Sequence, residues 1–426
     1  MTEQTTSMDL KRASNIATLA LWPLAFMTFL NRTFLEPFND RPTDDFTTVI
    51  TALRRFIDDV PVYNENYAAV DPHYLYSPGA TLLLSPLAYL PADEVSRSLY
   101  ILLNALATVA AVGLLTKLFG FSLRGPVFPA ATLLLFGTES VLNTLAFSNI
   151  NGVLLLLEVV FIWALIRRYP VVGGIALGLA ILIKPQFLPL LVLPLFKKHF
   201  STIGIALGIP VVLNLAAWPL MTQPGDYFTR LLPYLGQTRD YANNSITGMG
   251  AYFGWPDGMT WFWRILMALF VGLGLLLLLR WRDRDELFWA TTTTSLILIG
   301  VFLLSSLGQM YYTMLALPML FTVLHKRSVM HNPVIWLGLY FAMTADNWHS
   351  DKWPWFGYIV ENVRGTIGWC IIVVSIATVV VTWTILETKR ARTTPHLGPS
   401  NNAGHNRVTQ SSPDLPSHEE AENGRH

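Results

Sequence analysis

Residues 171–196 read VVGGIALGLAILIKPQFLPLLVLPLF, two apolar segments parted by Lys184 and Pro185. Neither half carries another charge, so both can lie in hydrocarbon. Each is too short to cross it, because a core about 30 Å thick needs roughly 20 helical residues. Pro185 lacks an N–H and pushes the residue before it out of the helical region, so the first helix must stop at Lys184. Broken backbone and an ammonium at membrane depth are tolerated only beside protein or a cavity. The stretch therefore predicts a many-helix membrane protein with a polar interior site. The plainer alternative for Lys184 is a side chain that snorkels to the surface.

The rest of the 426 residues agrees. Hydrophobic residues make up 52% and charged residues 13%, about half of the roughly 25% charge of a soluble protein. Runs near 14–31, 79–91, 98–119, 150–166, 201–219, 259–280, 287–307, 310–324, 333–346 and 365–386 read as spans. Residues 126–149, interrupted by GTES, read as a second broken pair. The expected fold is all-α and polytopic, with about 13 membrane helices counting short or broken ones. The first run follows Lys11 and Arg12, lacks a small-residue cleavage site and precedes Arg32, which reads as a retained signal anchor. A net charge of +1 gives no field for nucleic acid. Cys370 is the only cysteine, which excludes an internal disulfide and leaves the redox compartment unread. There is no P-loop, GxGxxG fingerprint, zinc-spaced cysteine set, HExxH or internal repeat, so no motif calls for a cofactor.

Basic clusters set the orientation. Lys11/Arg12, Arg167/Arg168, Lys197/Lys198, Arg280/Arg282/Arg284, Lys326/Arg327 and Lys389/Arg390/Arg392 fall on one side if the chain starts in the cytoplasm. Lys117 and Arg124 then fall on the other side. This gives a cytoplasmic N-terminus (1–13), a transmembrane catalytic domain (14–387) and a cytoplasmic tail (388–426). The tail is polar and rich in Pro, Ser and Asn, so it is expected to be disordered. Segments 32–78, 220–258 and 347–364 are expected outside.

In the first outer segment, Phe46, Val49, Ile50, Leu53, Phe56, Ile57 and Val60 form one stripe of a helix. The expectation is an amphipathic helix on the outer membrane face. Asp44 and Asp45 fall in its first turn, after Thr43. They are either dipole-complementing acids behind an N-cap or a carboxylate base held at the membrane surface. The segment continues PVYNENYAAVDPHYLYSPG, dense in Tyr, Asn, Asp and His. That mixture suits either a sugar-binding surface, with His73 and Tyr76 as contacts, or an aromatic interface belt.

Five segments together resemble one family: TDDF (43–46), YNENYAAVDPHYLYSPGATLLLSPLAYLP (63–91), FSNINGVLLLLEV (147–159), TRDYANNSITGMGAYFG (238–254) and GQMYYTM (308–314). The chain resembles glycosyltransferase family 87, membrane enzymes of the GT-C fold. Within it, the chain is similar to the branching α-(1→3)-arabinofuranosyltransferases of mycolic-acid-bearing actinobacteria, over roughly residues 15–390. The resemblance implies a decaprenyl-phosphate-arabinofuranose donor in the plasma membrane. The acceptor is then the arabinan of arabinogalactan or lipoarabinomannan, and the site faces the extracytoplasmic side. A β donor and an α product imply inversion by one displacement, with one base. Carried onto this chain, that base is an acid of the pair, Asp45 with Asp44 as its partner. The alternatives are an α-(1→2)-mannosyltransferase using polyprenyl-phosphate-mannose, as in sibling enzymes, and a lipid-linked sugar flippase or transporter. A transporter is expected to show paired interrupted segments in its two halves, which this chain lacks.

A leaving lipid phosphate needs a cation. Lys184 is the first candidate, and Arg239 of TRDY the second unless it only pairs with Asp240. Asn149 and Asn151 contact sugar or phosphate, or else cap helix ends. Tyr311 and Tyr312, with Gln309, contact the donor or belong to an aromatic belt. A single phosphate can be neutralised by Lys and Arg, so no obligatory metal is expected.

Overall fold

The computed structural model describes residues 2–38, 45–68, 72–90, 93–346 and 348–393. Thr43, Asp44, Asp71 and residues 394–426 of the expected tail lie outside the described residues. No strand occurs among the described residues. The helices in chain order are α1 (Thr2–Leu30), α2 (Asp45–Ile57), α3 (Pro78–Leu84), α4 (Asp93–Leu118), α5 (Val127–Phe136), α6 (Glu139–Ala146), α7 (Asn151–Arg167) and α8 (Pro170–Ile183). They continue as α9 (Val192–Phe196), α10 (Phe200–Ala217), α11 (Leu232–Leu235), α12 (Ile246–Phe253), α13 (Asp257–Leu278), α14 (Glu286–Leu304), α15 (Leu317–Phe321), α16 (Pro333–Met343) and α17 (Pro354–Thr393). Contacts divide the chain into Met1–Thr384 and Ile385–His426. The described part of the second unit is the end of α17, where ETKRAR supplies helix-favouring residues beyond the expected start of the tail.

Among the described residues, α1, α4, α10, α13, α14 and α17 carry stretches long and apolar enough to cross a membrane. The broken elements fall where the sequence places them. α8 stops at Ile183, Lys184 is extended (φ −132°, ψ 103°), and Pro185 opens a 3-10 turn leading to α9. The GTES break sits between α5 and α6, with Thr138 capping α6 by accepting a hydrogen bond from Val141 N–H.

Residues 79–91 do not form a span. α3 has 7 residues and the 3-10 turn Ser85–Tyr89 has 5, together about 20 Å at roughly 1.5 and 2.0 Å per residue. The segment is instead pinned to α8 and α10. Ser77 Oγ donates to Leu182 C=O (3.2 Å), and Gly79 N–H donates to Asn214 Oδ1 of α10 (2.9 Å). A Cβ on Gly79 would meet α10 backbone at 2.7 Å, so only glycine permits this approach.

This short segment changes the count of crossings before α4. Lys197 pairs with Glu286 (2.8 Å) and Asp283 (3.3 Å), and the Arg327 guanidinium lies over Trp281 (5.3 Å), so several basic clusters meet at one end. α4 delivers Lys117 to that same end, where Phe119 packs on Phe321 (5.8 Å) and His325 (6.5 Å). With 79–91 removed as a crossing, Lys117 no longer opposes the other clusters. α14 leads from this basic end to the opposite one over 19 residues, about 28 Å.

At that opposite end the three segments assigned to one side touch. Arg230 donates to Asn64 Oδ1 (3.1 Å) and Glu65 C=O (3.0 Å), Tyr67 stacks near Tyr234 (5.1 Å), and Tyr252 near Tyr358 (6.2 Å). α2 ends at Ile57 rather than Val60. Asp59 turns left-handed (φ 55°) and Val60 N–H reaches Arg55 C=O (2.8 Å), a helix-terminating pattern. Its stripe is buried, with Phe46, Val49, Ile50 and Leu53 at most 5% exposed and Phe46 against Tyr100 (5.2 Å). The apolar face expected on lipid therefore packs on protein.

Candidate active site

The short connection FSNIN (147–151) joins α6 to α7 and builds most of the site. α6 ends with Ser148 left-handed (φ 54°), Ser148 N–H bonded to Leu145 C=O and Asn149 N–H to Thr144 C=O. This is a helix-closing turn with serine where glycine is usual. It leaves the Phe147 carbonyl free to accept Asp45 N–H at 2.9 Å, which fixes the start of α2. The Asp45 carboxylate then accepts Asn149 Nδ2–H at 2.7 Å. Asn149 and Asn151 do not cap: Ile150 holds the capping position of α7 with no side-chain bond.

Both asparagines turn toward Lys184. Its Nζ donates to Asn151 Oδ1 (2.7 Å) and Asn149 Oδ1 (3.4 Å), and lies 4.2 Å from the centre of the Tyr312 ring. Lys184 is 8% exposed and does not snorkel. Neutral amide oxygens and an aromatic face hold the ammonium, and among the described residues no carboxylate pairs with it directly. Asp45, reached through one amide, is the acid whose charge acts on it. Carboxylate and ammonium thus approach one another from α2 and the α8 break, with the Asn149 amide between them.

Aromatic side chains wall this centre. Tyr311 and Tyr312 are 6% and 7% exposed, so they line the interior rather than an interface belt. Tyr311 packs on Phe147 (6.2 Å) and its hydroxyl bonds Gln309. Tyr76 is also buried, and burial, then Tyr100 and the Asp45 carboxylate, keep its phenol well above the usual range. Arg239 is half-buried over Tyr241 (5.1 Å), close enough for its charge to act on Tyr311 and Tyr312. Among the described residues its Nε has no hydrogen-bond partner and it makes no ion pair with Asp240. The centre gathers Asp45, Asn149, Asn151, Lys184, Tyr76, Tyr311 and Arg239.

His73 joins a different cluster. Its Nδ1 lies 3.3 Å from Glu65 Oε2, and its ring sits between Tyr67 and Tyr234, 5.0 Å from each. Glu65 also pairs with Arg55 of α2 and accepts Tyr74 N–H (3.0 Å). The segment after α2 is thereby tied to α2, and Arg230 ties it to the segment before α11. Burial and the Glu65 carboxylate push the Tyr67 phenol above its usual range. Among the described residues no group of three or more His, Cys, Asp or Glu converges to hold a metal ion.

Residues 74–306 match the profile of glycosyltransferase family 87. The chain belongs to glycosyltransferase family 87. It is 47% identical over 384 residues to an α-(1→3)-arabinofuranosyltransferase of Corynebacterium glutamicum, covering 90% of this chain and 92% of that relative. It is 43% identical over 371 residues to the Mycobacterium tuberculosis protein of the same name (86% and 84% covered). The corresponding Mycolicibacterium smegmatis protein is 42% identical over 358 residues, with 83% of each covered. As a family 87 member the chain is a multi-pass membrane glycosyltransferase, and the Asp45–Lys184 centre is its candidate active site.

Sequence reasoning missed the loop anchors of this family 87 chain. Asn243 Nδ2 donates to Ser306 C=O (2.8 Å) while its Oδ1 accepts Gly308 N–H (3.0 Å), and Asn244 C=O accepts the Thr366 hydroxyl (2.9 Å). These bonds hold the Arg239 loop against GQMYYTM. The NN dipeptide in TRDYANNS was the available signal, but its partners lie more than 60 residues away.

Proposed function

We propose that the chain is an inverting α-(1→3)-arabinofuranosyltransferase. It takes arabinofuranose from a polyprenyl-monophosphate donor at the extracytoplasmic face and adds it to cell-wall arabinan. The observation that carries this reading is the continuous Asp45–Asn149–Lys184 contact. A carboxylate and a buried ammonium stand one amide and two hydrogen bonds apart, 2.7 and 3.4 Å long.

The chemistry follows from the two ends. The acceptor hydroxyl attacks the anomeric carbon on the face opposite the phosphate, and its proton passes to the Asp45 carboxylate. The carbon–oxygen bond to phosphate breaks, and its electron pair stays on the phosphate, which gains one negative charge. Lys184 meets that charge in a low-dielectric site, with Arg239 as the second cation. An ammonium solvated by neutral groups is suited to take up an anion. Its place in a membrane-embedded break fits a lipid-borne phosphate better than a soluble nucleotide. The names of the relatives support arabinose as the sugar and α-(1→3) as the linkage.

The test is to supply purified protein with synthetic polyprenyl-phosphate-arabinofuranose or polyprenyl-phosphate-mannose and a short α-(1→5) arabinan. The expected product is a single α-(1→3)-linked arabinofuranose, identified by NMR. Transfer of mannose in preference to arabinose overturns the donor assignment.

A further inference from the structure

We propose that Asn149 is the positioning residue of the base: its amide fixes the Asp45 carboxylate for proton uptake and ties it to Lys184. This rests on the reading of Asp45 as the base. The argument begins with what each neighbour can do. An ionised carboxylate only accepts and an ammonium only donates. Asn149 lies between them, with Nδ2 2.7 Å from Asp45 Oδ2 and Oδ1 3.4 Å from Lys184 Nζ. The opposite amide orientation would set carbonyl against carboxylate and NH₂ against ammonium, two repulsions. The neighbours therefore select one orientation, and a side chain that both donates and accepts is required at this position.

The backbone makes the same connection. Asp45 N–H bonds Phe147 C=O (2.9 Å), so the turn that carries Asn149 holds Asp45 by main chain and side chain together. Ser148, between the two attachment points, is left-handed at φ 54°. Strain of that kind persists where surrounding contacts over-determine it, and it recurs at functional sites. Asn149 itself is 7% exposed and leaves the role of helix cap to Ile150. Its side chain is committed to the carboxylate and the ammonium.

Among the described residues, the ionisable groups whose charge is coupled to Asp45 include Lys184, Tyr76, Tyr311 and Tyr312, with Arg239 acting on the last two. Asn149 donates to the Asp45 carboxylate at 2.7 Å. A hydrogen bond to the charged form favours ionisation, so its loss raises the pH at which Asp45 becomes a base. Activity then falls off at higher pH on the acid side.

The experiment uses the full chain in lipid nanodiscs, with polyprenyl-phosphate-arabinofuranose and a short arabinan. It measures kcat from about pH 5 to 9, bracketing the acid limb. Asn149→Ala is expected to lower kcat about tenfold to a hundredfold and move the acid limb up by roughly one pH unit. Asn149→Asp keeps the size of the side chain but sets a second carboxylate against the first, so its limb moves further up. It also carries the test should the alanine variant not fold. Acid limbs that superimpose on the wild type in the variants that fold overturn the proposal, whatever the overall rate. Asp45→Asn runs in parallel. If it turns over normally, the base reading falls and the proposal with it; if it is inactive while the limbs superimpose, only the role of Asn149 falls.

Discussion

Replacing Lys184 with methionine removes a positive charge from a site that offers it only neutral partners. The structure separates the expected effects on folding and on turnover. For folding, the loss of the ammonium leaves the Asn151 and Asn149 oxygens, now 2.7 and 3.4 Å from Nζ, without that donor, a penalty of about 1–3 kcal/mol for each buried acceptor. The same substitution removes the desolvation cost of a charge that is 8% exposed, an offsetting gain. Stability should therefore change little. For turnover, the phosphate gains charge as the glycosidic bond breaks, and loss of one preorganised donor to such charge costs about 10²–10³ in rate. Donor KM should rise as well, since the ground-state phosphate already bears charge, whereas acceptor KM should hold. Lys184→Arg should retain part of the activity, because charge survives although geometry changes. The assay is steady-state kinetics with donor and acceptor varied separately, beside thermal unfolding. Unchanged kcat and donor KM in Lys184→Met would refute the reasoning and leave Arg239 as the phosphate ligand.

Three further predictions follow from other parts of the fold. A Cβ on Gly152 would overlap the Asn104 carbonyl of α4, so Gly152→Ala should push the head of α7 away, lowering both the unfolding temperature and turnover; wild-type values for both would contradict this packing. Glu158 is 1% exposed and, among the described residues, neither carboxyl oxygen has a hydrogen-bond partner. Glu158→Leu should then stabilise the protein by about 1–3 kcal/mol with turnover preserved, and a loss of activity would give that carboxyl a function. Asn66→Cys and Lys326→Cys, each made with Cys370→Ala, should label with an impermeant thiol reagent from opposite sides of the membrane; labelling from one side would overturn the orientation.

The helical breaks were legible because proline and glycine act locally. Pro185 alone ends α8 at the position where Lys184 must turn inward. Residues 79–91 misled because an apolar run looks the same whether it crosses or re-enters. What distinguishes them is the docking of Ser77 and Gly79 onto α8 and α10, 105 and 135 residues away. The stripe of α2 was legible as a stripe, but the surface it covers was not, since lipid and protein both accept Val, Ile and Leu. In the site, the carboxylate and the lysine stood out by their chemistry. In the sequence the Asn149 amide reads as a sugar or phosphate contact or a helix cap, and its bridging place was not legible, because it depends on Asp45 and Lys184, 104 and 35 residues distant.

The most direct test of the account is single-turnover transfer by Asp45→Asn, with wild type and Lys184→Met alongside and folding checked for each. The substitution keeps the shape of the side chain and removes its capacity to take a proton. The account predicts a loss of about 10²–10⁴-fold or more in the transfer step, with donor binding retained. Transfer by Asp45→Asn at the wild-type rate would contradict it.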